Sequence, residues 1–313
     1  MRAAQLYSYG HPARIEEVET PSRAPGESLI EIEAAAVGHI DLTIASGRFS
    51  VRPALPHICG TDGVGRVVES DRFRIGTRVL VRGDGVGVGR SGCWAEFVCA
   101  PDTALTELSD RLPAAVAATF LSPTTSGYIA VESVARVSAG ERVLVTGASG
   151  AVGAVAAQFA LRGGAAVTGL VSSTAKARSL PRGVEPLFAT DDVVERLAAE
   201  PPFDVLIDTV GGQQLARLLG RVAPGGRAVA VGYTRGESVT MDLPTFLYDD
   251  VSLLPLNMLR RRDEQMSLIP MMSDLIESGE LELTVQEFAL ADQPVAVEAL
   301  TSGHVIGRAV VVP

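Results

Sequence analysis

Residues 145–160 read VTGASGAVGAVAAQFA, with glycine at 147, 150 and 153 and small apolar side chains around them. The preceding run, RVLVTG, is made of strand formers and the following one of helix formers, so the glycines fall where a strand turns into a helix. At such a turn the free N–H groups of the first helical residues attract a phosphate, and glycine removes the side chains that would hold it off. Gly147 then serves the tight turn, Gly150 the approach of a pyrophosphate to backbone N–H groups, and Gly153 the contact of helix with strand. A second glycine run, GDGVGVG at 83–89, precedes the strand-like RSGCWAEFV and offers no helix start, so it reads as a hairpin loop.

The type of dinucleotide follows from the end of the next strand, AAVTGLVSSTAKARSL. A site for NAD places Asp or Glu there, about 20 residues beyond the last glycine, to bind the ribose hydroxyls. No carboxylate occurs from Gly163 to Pro181; Ser172, Ser173, Lys176 and Arg178 stand there instead. Hydroxyls and cations suit a 2′-phosphate, because charge-assisted donors favour a dianion, and NADPH is expected over NADH. Arg178 is the weaker candidate: two residues beyond Lys176 on a helix, it points to another face.

Positioning these groups takes a particular pair of architectures. Residues 1 to about 110 contain short β-branched or alternating runs (SLIEIEAAAVG, GVGRVVES, TRVLVRG, WAEFVCA) separated by Gly, Pro and Asp turn signals, the pattern of an antiparallel barrel or sandwich. From about 111 to 255 apolar runs (RVLVTG, AAVTGLVS, FDVLIDTVG, GRAVAVG) alternate with Ala-rich helical stretches, as in a doubly wound parallel α/β sheet. After Asp242 the chain reads as helical, and the closing GRAVVVP resembles the first region, so 256–313 is expected to complete it.

The 313 residues, 47% hydrophobic, suffice for two cores, and a net charge of -10 argues against a nucleic-acid partner. Cys59, Cys93 and Cys99 are odd in number and lack CxxC spacing, so neither a disulfide framework nor a thiolate cluster is expected. The N-terminus turns polar too early for a signal peptide and no apolar run is long enough for a membrane span, so a cytoplasmic protein is expected.

Over nearly its full length the chain resembles the zinc-independent branch of the medium-chain dehydrogenases/reductases, the quinone oxidoreductase-like and enoyl reductase group. The residues that carry the likeness are GHIDLTIASGRF, LPHICGTDGVGRVVE, SGCWAEFVCAP, TSGYIAV, GERVLVTGASGAVGAVAAQFA, FDVLIDTVGG, APGGRAVAVG and SGHVIGRAVVVP, in family order. The resemblance implies a GroES-like β-barrel domain and a Rossmann domain, with the active site in the cleft between them. Zinc-binding relatives carry ligands at positions that look like Gly38, Thr61 and Ser122 here, and none of these can replace a thiolate or imidazole, so no metal is expected.

In such relatives hydride passes to a quinone or an activated C=C bond, an enone or enal. The family's Asn and Tyr of the substrate cleft are replaced by Gly38 and Thr43, which leaves His39, Thr61 and Tyr128 as the polar catalytic candidates. By the same likeness Ser126 is expected near the nicotinamide and Ser149 in the phosphate turn, with Ala151 and Val152 offering N–H groups. Val210, Gly232 and Tyr233 would line the path of the cofactor. Asp41 is expected to pair with Arg308 of the last strand, and Asp62 to bond backbone. DVSLLPL at 250–256 reads as the edge strand through which the family forms homodimers. Two other readings stand beside a quinone or enone reductase acting on a small-molecule acceptor: an enoyl reductase of a biosynthetic, polyketide-type pathway, and an NADPH-responsive binding protein with little turnover.

Overall fold

In the computed structural model, which describes residues 1–313, the β-branched N-terminal runs form eight strands. These are β1 (Arg2–Leu6), β2 (Arg14–Glu17), β3 (Glu27–Val37), β4 (His57–Ile58), β5 (Asp62–Glu69), β6 (Arg78–Arg82), β7 (Phe97–Pro101) and β8 (Leu105–Glu107). A three-stranded sheet runs β2-β1-β4, and a larger one carries β3-β5-β6-β8 with β7 also on β3, all antiparallel. The alternation of the sequence turns one set of side chains inward: Ile30, Ile32, Val67, Val79, Val81 and Trp94 share one buried cluster. Trp94 satisfies its indole by donating from Nε1 to the Ala36 carbonyl at 2.9 Å. The 83–89 glycine run is a loop of turns, and Gly87 packs directly on the Gly60 backbone.

The following strands are β9 (Arg142–Thr146), β10 (Ala166–Val171), β11 (Glu185–Phe188), β12 (Phe203–Asp208), β13 (Val222–Ala230) and β14 (Ser252–Pro255). They pair in parallel throughout, in the order β11-β10-β9-β12-β13-β14. That is the doubly wound Rossmann order, with its switch point between β9 and β12. Val143 and Val145 of β9, like Val205, Leu206 and Ile207 of β12, are wholly buried, which explains their unbroken apolar sequence. The helix Ala151–Arg162 follows β9, and the helix Leu121–Tyr128 approaches it so closely that a side chain at Gly127 would meet Val155.

The chain then returns to the antiparallel sheet with β15 (Val285–Ala289) and β16 (Arg308–Val312), β16 pairing with β3. The two compact units are thus residues 1–120 with 284–313, and residues 121–283, where the sequence texture places the joins near 110 and 255. The difference lies in 256–283, whose helices carry no signal of the unit they pack on. The buried Gln265 donates to Thr125 Oγ1 at 3.1 Å, Ser133 Oγ to Glu264 at 2.6 Å, and the Gln158 amide exchanges two hydrogen bonds of 2.9 Å with the Glu282 backbone, all within the Rossmann unit.

Candidate cofactor and acceptor site

The turn after β9 divides its work among the three glycines. Gly147 takes φ +59°, and a Cβ there would stand 2.5 Å from Thr209 Oγ1 and 3.1 Å from Val210 Cγ2. A Cβ on Gly153 would collide with the Gly147 carbonyl oxygen, so only glycine lets the helix start sit on the turn. Gly150 is different: its would-be Cβ has only the Gly147 oxygen nearby, at 3.2 Å. As N-cap of the helix Ala151–Arg162, Gly150 supplies no side chain to the first N–H groups, so those of Ala151 and Val152 remain available to an anion. Ser149 is buried in the same turn.

At the switch point the buried Asp208 fastens β12 to β9. Its carboxylate accepts from Thr146 Oγ1 at 2.6 Å and from the Gly211 N–H at 2.8 Å, while Thr209 exchanges bonds of 3.0 and 2.8 Å with Thr146. Burial pushes the Asp208 carboxyl above its ordinary range, and these donors oppose the shift. The loop so fixed brings expected residues together: a Cβ on Gly211 would lie 2.7 Å from the Gly232 oxygen and 2.8 Å from the Tyr233 Cα. Arg235 N–H donates to the Val210 carbonyl at 2.9 Å, folding the loop after β13 back over the loop after β12.

Beyond β10, Ser172 is exposed and Ser173 caps the short helix Thr174–Arg178, its Oγ accepting from the Lys176 N–H at 3.3 Å. The half-buried Lys176 ammonium is held below its usual range, by burial first and by the Arg235 charge second. Ser126 is buried in the helix Leu121–Tyr128, at 5% exposure. Tyr128 sets its ring edge-on to Phe159, with centroids 5.1 Å apart.

In the barrel unit the expected Asp41–Arg308 ion pair is replaced by another arrangement. Asp41 spends its carboxylate on two backbone donors, Gly38 N–H at 2.8 Å and Thr61 N–H at 2.9 Å, and thereby ties the helix start at His39 to the Thr61 segment. Arg308 faces Asp62 at 4.0 Å, and Arg82 donates to the same Asp62 carboxylate, which therefore serves guanidinium groups and not backbone. Burial, then Asp62, raises the Asp41 carboxyl to about 6 against the donors and Arg308, which favour its charge. His39 sits exposed at the helix start, yet the protein packed around it and Arg308 hold its imidazole below the ordinary range. Thr61 is buried at 9% exposure, and burial pushes the Cys59 thiol up to about 12. A side chain at Gly38 would stand 3.0 Å from an Arg308 nitrogen, so the guanidinium occupies the space beside that position.

Comparison with known proteins decides the family. Residues 24–110 match the alcohol dehydrogenase GroES-like domain and residues 151–274 the zinc-binding dehydrogenase family. Quinone oxidoreductase from Rattus norvegicus is 31% identical over 243 residues, covering 74% of this chain and 73% of the relative. The chain is a quinone oxidoreductase-like medium-chain dehydrogenase/reductase. The quinone oxidoreductase of Pseudomonas syringae pv. Tomato DC3000 superposes with a TM-score of 0.84 at 25% identity, covering 100% of this chain and 99% of that one. A mycobacterial protein solved in complex with NADPH gives 0.87, also at 25% identity, with both chains covered in full.

Within this medium-chain dehydrogenase/reductase the turn at Gly147, the loop at Val210, and Gly232 with Tyr233 form one contiguous set in the Rossmann unit. In the barrel unit Asp41 links Gly38, the residue before His39, to Thr61. Sequence reasoning missed the buried Thr146 and Asp208 and the partly buried Thr209, polar groups at the ends of apolar strands, and Arg235, which follows Gly232 and Tyr233 by only a few positions. No group of three or more His, Cys, Asp or Glu side chains is placed to hold a metal ion, and no helix is long and apolar enough to cross a membrane.

Proposed function

We infer that this protein is an NADPH-dependent reductase that passes hydride to a quinone or an electron-poor C=C bond without zinc. The observation that carries the reading is the half-buried, cation-flanked Lys176 at the end of β10, in a Rossmann unit whose glycine turn leaves a helix N-terminus open. The NADPH complex of the mycobacterial neighbour and the quinone oxidoreductase relatives support it. So does the Arg308 guanidinium, which fills the space beside Gly38 where zinc-binding relatives carry a ligand.

The cofactor, when bound, supplies hydride from its nicotinamide. The protein's part is to bind and orient. Ala151 and Val152 N–H groups would hold the pyrophosphate, with Ser149 in the same turn. Ser172 and Lys176 would take the 2′-phosphate; Ser173 would contribute beside its capping bond. Val210, Gly232 and Tyr233 would line the dinucleotide, and Ser126 would stand near the nicotinamide. Hydride addition leaves negative charge on a conjugated oxygen, which needs a hydrogen-bond donor. His39 and Thr61 are the proposed donors. The lowered pKa of His39 keeps its imidazole neutral at pH 7, able to donate one N–H but carrying no charge. Tyr128, turned onto Phe159, is the third candidate.

A homodimer formed through β14 belongs to the same proposal. Its outer edge has no partner strand in the sheet order, and Leu243, Leu247, Tyr248 and Leu259 nearby in sequence are largely exposed, Tyr248 at 89%. Sedimentation at micromolar concentration is expected to show twice the chain mass; a monomer alone would remove the idea.

Stopped-flow oxidation of NADPH with a panel of quinones, enals and enones tests the activity. Turnover well above solvent background with at least one acceptor class is expected. Tight NADPH binding without turnover on any acceptor would leave a binding protein and overturn the reductase.

A further inference from the structure

We propose that Arg235, on the loop after β13, is the second cation of the 2′-phosphate subsite, closing on the phosphate opposite Lys176. The assignment rests on the NADPH reading above and names a specificity residue that the strand-end motif SSTAKAR does not contain.

Three observations lead to it. First, the loop after β13 does not stay beside its own strand. Arg235 N–H donates to the Val210 carbonyl at 2.9 Å, Gly236 N–H to the Tyr233 carbonyl at 3.1 Å, and a Cβ on Gly212 would lie 2.9 Å from the Arg235 oxygen. The Arg235 peptide is therefore fixed at the end of β12, and Val210 in turn abuts the Gly147 turn at the end of β9. Because β9 lies between β10 and β12 in the sheet, this fold-back carries Arg235 toward the strand end that bears Lys176.

Second, the two positive groups feel one another without compensation. Burial and the Arg235 charge both act against the Lys176 ammonium, and no carboxylate acts for it. Burial and a second positive charge both disfavour the Lys176 ammonium, and an anion drawn to the two groups would offset both. A phosphate dianion supplies the missing charge, and the planar guanidinium can meet two of its oxygens at once while the ammonium meets the third.

Third, the backbone that presents Arg235 is already organised by close loop contacts, while its side chain is exposed and free to turn. Binding then orders one side chain and leaves the loop as it is.

The test uses equilibrium binding and no turnover. Calorimetric titrations compare 2′,5′-ADP with 5′-ADP, and NADPH with NADH, on the full-length wild type, Arg235→Ala, Arg235→Lys and Lys176→Ala. Arg235→Ala is expected to weaken 2′,5′-ADP and NADPH by about tenfold or more, with 5′-ADP and NADH changed less than about twofold. Arg235→Lys should recover part of the loss. Circular dichroism of each variant checks that the exposed substitution leaves the fold intact. A wild type that prefers the 2′-phosphorylated ligands, and whose preference survives Arg235→Ala, would overturn the Arg235 assignment and leave the NADPH reading standing. A wild type that binds 2′,5′-ADP no better than 5′-ADP would sink the NADPH reading and this inference with it.

Discussion

The β9 turn and the Asp41 cluster solve the problem of holding a reactive arrangement in opposite ways. In the Rossmann unit the proposed site is made of backbone: glycines remove side chains, and N–H groups stand free because no side chain caps them. In the barrel unit it is made of charge: Asp41, Asp62, Arg82 and Arg308 sit together, and the Asp41 carboxylate positions two peptide groups that come from separate segments. A backbone site should fail by steric intrusion and lose ligand, whereas a charge-built site should fail by unpaired burial and lose stability.

Removing the Asp41 carboxylate should have the largest effect. Asp41→Ala leaves the Gly38 and Thr61 N–H groups and part of the Arg308 charge without a partner, at a cost of about 3 to 5 kcal/mol in urea unfolding. Its pH dependence sharpens the point. Because the folded carboxyl titrates at about 6 and the ordinary value is 3.8, the folded state holds this proton more tightly than the unfolded chain does. The contribution of Asp41 to stability is therefore greatest below about pH 4 and falls as pH rises toward 6, by up to about 3 kcal/mol. The stability of wild type relative to Asp41→Asn should shrink over that window, and a difference that grows with pH would reverse the sign assigned here.

Gly153→Val tests the other half. Its side chain must displace the Gly147 carbonyl, at a cost of about 1 to 3 kcal/mol in stability, and NADPH affinity should fall further than stability does. An unchanged affinity in a folded variant would show that the turn is not where the pyrophosphate lies.

The smallest change is expected from Lys176→Ala, whose half-buried ammonium holds no structural bond of its own. NADPH should weaken by about 1.5 to 3 kcal/mol, roughly ten- to a hundredfold, with NADH and thermal stability nearly unmoved. Equal losses for both cofactors in titrations would reassign Lys176 to a solvated helix face.

This contrast also explains what could be read from the sequence. The glycine spacing is a local steric requirement, and strands buried on both faces announce themselves as unbroken apolar runs; the steric roles of Gly147 and Gly153 and the doubly wound parallel sheet were legible for that reason. The Asp41 arrangement was not. An acid and a base far apart in sequence suggest a direct pair, but the backbone donors Gly38 and Thr61 have no sequence signature, and they outcompete Arg308. Arg235 escaped because its neighbour is set by a loop folding back across one strand, which no periodicity encodes. The helices of 256–283 show their amphipathic character without showing which unit receives it, so the second join moved from 255 to 283.

The return of the chain to its first sheet sets an order of assembly. β3 finds β5 on one edge, and β7 on the first half of the other, within the first 101 residues, but the far end of that second edge pairs with β16, through Ala309 with Val37, Val310 with Ala36 and Val311 with Ala35. While the chain is being synthesised, the last few residues of β3 lack a partner on that edge until residues 309–311 emerge, although the Rossmann unit already has all six of its strands. The barrel sheet therefore closes last, across the greatest sequence separation of any strand pair in the molecule, and until then the apolar end of β3 is left without a partner on that edge.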